Sequence, residues 1–151
     1  HLKEVIALSF TNNYPFGEAI IKLVSSHRNY TSKQLRQIGL YTGQDIILGE
    51  LLQKGTCTQN DLVREINVDH STIAKSVSRL EKAGYIEKRQ SELDKRATEI
   101  SLTFEGKKIA ENVEQIWKNV EKLTIKNLSE TEKKLFLNTS EKIAINFEID
   151  N

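Results

Sequence analysis

A mainly α chain with one small β-hairpin is what this sequence predicts, on three observations. Only seven glycines and one proline interrupt 151 residues. Apolar residues recur at three- and four-residue spacing through most of the chain, the period of helices with one buried face. Between residues 85 and 102 the pattern changes to two short alternating runs parted by a polar tract, which reads as a hairpin. The 38% hydrophobic and 28% charged composition excludes a disordered chain, and no apolar run approaches the roughly eighteen residues needed to span a bilayer. One continuous body is expected at this length. The N-terminal residues show no signal-like apolar core, and Cys57 is a lone thiol, so a cytoplasmic protein is expected.

Pro15 suits the first turn of a helix over residues 15–30, in which Phe16, Ile20, Leu23, Val24 and His27 share one face. After a break at Gly39-Leu40, Thr42 is the expected cap of a second helix. Its apolar residues are Ile46, Ile47, Leu48, Leu51 and Leu52, and it ends at Lys54-Gly55. Thr58 and Asp61, three apart, make a capping-box start for a short helix carrying Leu62, Val63 and Ile66. The polar turn Asn67-Val68-Asp69 leads into the next helix, with Asp69 as its N-cap, Ile73, Val77 and Leu80 turned inward, and Gly84 as a left-handed stop.

The runs 85–89 and 98–102 are two strands around the tip QSELDKRA. Thr103 then caps a long helix whose Ile109, Val113, Ile116, Val120 and Leu123 alternate at four and three, a seam that needs a partner. Ser129 and Glu132 repeat the capping box before a last helix bearing Leu135, Phe136, Ile143 and Phe147. The expected order is α-α-α-α-β-β-α-α.

Twenty-two basic residues against twenty-one acidic give no global positive field, and the charges across residues 58–99 roughly cancel. Any nucleic-acid binding must therefore come from local placement. Two short helices joined by a polar turn form a helix-turn-helix, the second helix being the one that enters a major groove. With Ile73, Val77 and Leu80 inward, Ser71, Thr72, Lys75, Ser76 and Arg79 face outward as hydroxyl and cationic donors. A single amphipathic helix with two basic residues is more often a solvated face. The hairpin that follows, with Asp94-Lys95-Arg96 at its tip, makes the pattern more specific, because a basic tip fits an adjacent minor groove.

The run TQNDLVREINVDHSTIAKSVSRLEKAGYIEKRQSELDKRATEISLTFEG resembles the core of the MarR family of winged helix-turn-helix regulators. Three features carry the resemblance: D-x-S-T at Asp69 to Thr72, the R-L-E-x-x-G-Y-I helix exit, and the wing D-x-R followed by L-T-x-x-G at Leu102 to Gly106. The Thr-x-Gln pattern at Leu40 to Gln44 and the terminal helices extend it over nearly all of residues 1–151 as a single domain, with the winged core at 56–103.

The resemblance implies that Asp69 caps the recognition helix, that Ser71, Thr72, Lys75, Ser76 and Arg79 face the major groove, and that Arg96 is the wing arginine, braced by an ion pair from Asp94. Lys88 and Lys95 complete the candidate DNA contacts. His70 stands where relatives often have proline. The resemblance also implies a homodimer built from residues 1–38 and 104–151, with Trp117 beside its seam. Such a dimer would act as a repressor on a pseudo-palindromic operator, relieved by a small phenolic or anionic effector. Phe16, His27, Tyr30 and Tyr41 are candidates to line an effector cleft. No cofactor is implied, and the histidines and carboxylates form no metal-ligand cluster in the sequence.

Two alternatives stand beside this reading. One is a winged-helix interaction module without DNA binding. The other is a redox-sensing regulator in which Cys57, just before the third helix, has a thiolate favoured by that helix's N-terminus, against the plainer reading of a small buried residue. An enzyme is excluded by the want of a phosphate loop, metal motif or nucleophile with partners.

Overall fold

The computed structural model describes residues 11–149, so the first ten residues of the dimerisation segment expected over 1–38, and the last two of 104–151, lie outside the described residues. A short 3-10 turn at Thr11–Asn13 precedes α1 (Pro15–Gln37), α2 (Gln44–Lys54), β1 (Thr56–Thr58), α3 (Gln59–Ile66), α4 (His70–Lys82), β2 (Ile86–Gln90), β3 (Thr98–Leu102), α5 (Phe104–Thr124) and α6 (Glu130–Glu148). The six helices and the hairpin are those expected, and β1 is an addition.

Two helix boundaries and one added strand depart from expectation, each for a physical reason. Helix α1 runs past residue 30 because Thr31 and Leu35 are buried and continue its helical spacing, with the Thr31 hydroxyl donating back to the His27 carbonyl. It stops where Gly39 turns to φ +78° and the Leu40 amide returns to the Leu35 carbonyl. Helix α2 is capped by Gly43, at φ +101°, and not by Thr42. The side chains of Gln44 and Asp45, both buried, fold back to accept the Tyr41 and Gly43 amides at 2.8 and 2.9 Å. The Thr42 hydroxyl bonds that of Ser32 at 2.7 Å. Residues 56–58 form a third strand, giving an antiparallel sheet of order β1-β3-β2 in which Cys57 and Lys88 flank Ile100. Three residues are too few to show alternation in sequence.

The core of the winged module is Leu35, Leu40, Ile47, Leu48, Leu51, Leu62, Ile73, Val77, Leu80, Ile86, Ile100, Ala110 and Val113. All three inward positions predicted on α4 are in it. The face predicted on the first half of α1 is apolar but stays outside: Phe16 is 82% exposed, and Leu23 and Val24 are more than half exposed. The chain divides into two compact units, residues 1–116 and 117–151. Helix α6, in the second, buries none of its side chains within the chain, and Phe136 and Phe147 are exposed.

A clasp joins the exit of α4 to the entry of α5. Gly84 takes φ +81° to end α4, and the Tyr85 amide returns to the Leu80 carbonyl. The Thr103 hydroxyl donates to the Gly84 carbonyl at 2.6 Å and accepts the Gly106 amide at 3.0 Å, while the Thr103 amide donates to the Tyr85 carbonyl. Backbone approaches so closely here that a Cβ on Gly106 would sit 1.8 Å from the Tyr85 oxygen. Alanine at a helical glycine ordinarily gains about 1 kcal/mol, but an overlap of this size costs about 1–3 kcal/mol or more. Gly106→Ala is therefore expected to lower the urea midpoint; an unchanged or raised midpoint would contradict the clasp.

Candidate nucleic-acid interface

Helices α3 and α4 are set by their caps. Thr58 and Asp61 form the reciprocal box expected for α3, and Asn67 ends it in the left-handed region at φ 56°. Asp69 then caps α4: its Oδ1 accepts the Thr72 amide at 2.8 Å and the Ser71 hydroxyl at 2.7 Å, and its Oδ2 accepts the Thr72 hydroxyl at 2.9 Å. Ser71 and Thr72 thus spend their protons on Asp69. What they present outward is acceptor lone pairs, not the donors expected from sequence.

Along α4, Ser71, Thr72, Lys75 and Arg79 are exposed. Ser76 departs from expectation. It is half-buried, its hydroxyl 3.9 Å from where a Cβ on Gly43 would stand, so it faces the start of α2 as well as solvent. His70 is exposed in the first turn.

The wing tip is held by its own backbone and short side chains. The Ser91 amide bonds the Ala97 carbonyl, the buried Ser91 hydroxyl accepts the Leu93 and Asp94 amides, and the Gln90 side chain donates to the Lys95 carbonyl. Asp94 does brace the turn, but through the Arg96 amide at 3.0 Å and not through an ion pair with the guanidinium. The Arg96 side chain is left exposed to solvent, and Leu93 on the same tip is 99% exposed.

Ion pairing sorts the charges that roughly cancel in sequence. Asp61 pairs with Arg64, Glu65 with Lys54, Glu81 with Lys88, and Glu87 with Arg89, all between 2.8 and 3.1 Å. Among the described residues, Lys75, Arg79, Lys82, Lys95 and Arg96 enter no ion pair. Four of the eight acidic residues in 58–99 are thus spent on one set of cations, while Asp69, Glu92, Asp94 and Glu99 enter no ion pair and neither do the cations on α4 and the wing tip. Lys88, expected as a DNA contact, belongs to the spent set.

The effector candidates do not converge within one chain. Phe16 and Tyr30 stand fourteen residues apart on α1, roughly 21 Å along its axis, and His27 lies between them, exposed. Tyr41 lines an open recess of about 350 Å³, with Ser32, Arg36 and Thr42. Cys57 is buried in β1, where desolvation first and then the nearby Asp61 carboxylate push its thiol above the ordinary value. That is the opposite of the lowered thiol expected of a redox sensor. Among the described residues no group of three or more His, Cys, Asp or Glu is placed to hold a metal, and no helix is long and apolar enough to cross a membrane.

Fold and site together define a winged helix-turn-helix protein. Residues 38–97 match the model of the MarR family. The chain is 30% identical over 115 residues to the HTH-type transcriptional regulator BilQ of Clostridioides difficile, covering 76% of this chain and 78% of that one. It is 35% identical over 82 residues to the regulator YwoH of Bacillus subtilis, covering 54% of this chain and 59% of that one. The fold is similar to that of a mutant Escherichia coli MarR complexed with operator DNA, at TM-score 0.79 and 21% identity over 89% of this chain and 96% of the other. It is also similar to a MarR-family regulator of Listeria monocytogenes complexed with DNA, at TM-score 0.75 and 21% identity over 87% and 88%. The chain belongs to the MarR family of transcriptional regulators. These relatives are regulators and not enzymes, in agreement with the reading of the sequence.

The cap carries a pH signature. The Ser71 hydroxyl first, then the Thr72 amide, hold the Asp69 carboxyl at about 2, below its ordinary 3.8. A depressed folded value contributes stability that is present above the unfolded value and is lost as pH falls through the folded one. Asp69→Asn keeps a capping oxygen but does not titrate. The wild type's advantage over it in urea midpoint is expected to shrink as pH falls from 3.8 to about 2; an advantage constant over that window would contradict the cap.

Proposed function

We propose that the chain is a sequence-specific DNA-binding regulator that grips operator DNA as a homodimer, with α4 in the major groove and the β2–β3 tip in the adjacent minor groove. The observation that carries this reading is the set of exposed cations outside any ion pair, Lys75, Arg79, Lys95 and Arg96, which falls on the two elements that a winged helix-turn-helix turns toward DNA. Lys75 and Arg79 supply major-groove and phosphate contacts, and Ser71 and Thr72, as acceptors, suit the exocyclic amines of cytosine or adenine. Lys95 and the unpaired Arg96 guanidinium suit the more negative minor groove.

The homodimer is supported by the apolar surfaces that the chain leaves uncovered on α1 and α6. Phe16, Leu23, Val24, Leu135, Phe136 and Phe147 are more exposed than an isolated chain would keep in water. A second copy covers such faces and doubles the phosphate contacts, which matters for a module with so few free cations. Twofold symmetry makes the operator pseudo-palindromic, with half-sites about 34 Å apart. A dimer seated this way excludes other proteins from the same duplex, which favours repression.

Operator fragments are obtained by selecting bound genomic DNA. In gel-shift titrations on them, Arg79→Ala and Arg96→Ala are each expected to cost about 1–3 kcal/mol, whereas Lys88→Ala, already paired with Glu81, changes little. Equal losses for Lys88 and Arg96, or none for Arg96, would reject the assignment. Separately, Val24→Glu and Phe136→Glu should convert a dimer into folded monomer by light scattering; two variants that remain dimeric would reject the proposed interface.

A further inference from the structure

The open recess at the junction of α1 and α2 belongs neither to the caps of α4 nor to the wing. It is lined by the Arg36 guanidinium and three hydroxyl-bearing side chains, Ser32, Tyr41 and Thr42. Arg36 directs its Nε to the Ser32 carbonyl at 3.3 Å, and among the described residues no carboxylate pairs with it. Its terminal nitrogens therefore remain available. Ser32 and Thr42 share one hydrogen bond of 2.7 Å, which leaves one of the two protons free to donate outward. Tyr41 is exposed.

The amides leading into α2 are already taken. The buried Asp45 carboxylate accepts the Gly43 amide, the Gln44 side chain accepts that of Tyr41, and the Gln44 amide donates to the Tyr41 carbonyl. The donors left over in the recess are those of side chains. The position of the recess is informative. Thr42 adjoins Gly43, and Gly43 is where α2 meets Ser76 in the middle of α4. Thr42 thus stands one residue from the contact of the α2 start with the proposed recognition helix, and the recess lies in the same compact unit.

A guanidinium with adjacent hydroxyls is the donor set that holds a phosphodiester. We infer that Arg36, Tyr41 and Thr42 seat a backbone phosphate of the DNA flanking the major groove occupied by α4, fixing the angle at which that helix enters without reading sequence. This phosphate seat rests on the DNA-binding reading. An open recess suits a phosphate presented by a long duplex better than a free anion, which would gain more from enclosure.

The test measures fluorescence anisotropy of a labelled mixed-sequence duplex of about 30 base pairs, long enough for one dimer, titrated with the full chain from about 50 to 200 mM salt. Arg36→Gln is expected to weaken binding and to flatten the slope of log K against log salt by about 0.9 for each phosphate that is no longer neutralised. Arg36→Lys should restore most of the slope, and Thr42→Val should weaken binding with the slope unchanged, because it removes a hydroxyl and no charge. Both positions are exposed, so thermal melts should match wild type.

If Arg36→Gln leaves affinity and slope unchanged while Arg79→Ala weakens binding, the phosphate seat is wrong and the DNA-binding reading stands. If wild type binds no duplex, the reading beneath it fails. Inorganic phosphate is titrated alone by calorimetry as the remaining arm: Arg36-dependent binding of it, with duplex slopes unchanged, would assign the recess to a free anion and overturn the inference.

Discussion

The wing and the recognition helix can cooperate only if their relative position is fixed, and that position rests on the clasp at Thr103. One hydroxyl bonds the residue that ends α4 and the first turn of α5 at once. The Gly106 backbone then closes on Tyr85 at a distance that admits no side chain. The clasp thus ties together the α4 exit, the start of β2, the end of β3 and the entry of α5. The same contact explains why threonine and glycine stand three apart at this point, a spacing that the sequence shows only as a motif. The Asp69 cap plays the matching part at the other end of α4, so the recognition helix is fixed at both ends by short polar groups that cost little surface.

Charge is the second organising constraint. In a module whose acids and bases roughly cancel in sequence, ion pairs decide which cations are engaged: Glu65, Glu81 and Glu87 take Lys54, Lys88 and Arg89. Exposed pairs of this kind add little stability. Their effect here is to sort the cations, leaving Arg79 and Arg96 outside any pair. The short-range donors of α4 are adjusted in the same way, since Asp69 converts Ser71 and Thr72 from donors to acceptors. Both changes depend on tertiary placement, which a tally of residue types does not contain.

Most of the architecture was legible from spacing and caps. The three-residue offsets at Thr58–Asp61 and Ser129–Glu132 and the inward set Ile73, Val77 and Leu80 are local patterns with local causes, and they appear where they were expected. What spacing did not reveal was decided by long-range contacts. Strand β1 exists because β3 is there to pair with it. The cap of α2 moved to Gly43 because buried Gln44 and Asp45 turn back on the loop. The apolar face of α1 read correctly as a face but not as one left uncovered. The recess was not legible as a unit, because Tyr41 and Thr42 stood out in sequence only for other roles, and nothing local joins them to Ser32 and Arg36 on the preceding helix.

The central claim is that α4 reads a major groove while the wing enters the adjacent minor groove. Methylation interference with dimethyl sulfate on a selected operator tests it most directly, because the reagent marks guanine N7 in the major groove and adenine N3 in the minor groove. The account predicts two clusters of guanine N7 interference about one helical turn apart, each beside a stretch of adenine N3 interference that vanishes with Arg96→Ala. Interference confined to one groove, or a protected backbone with no base interference in either, would contradict it.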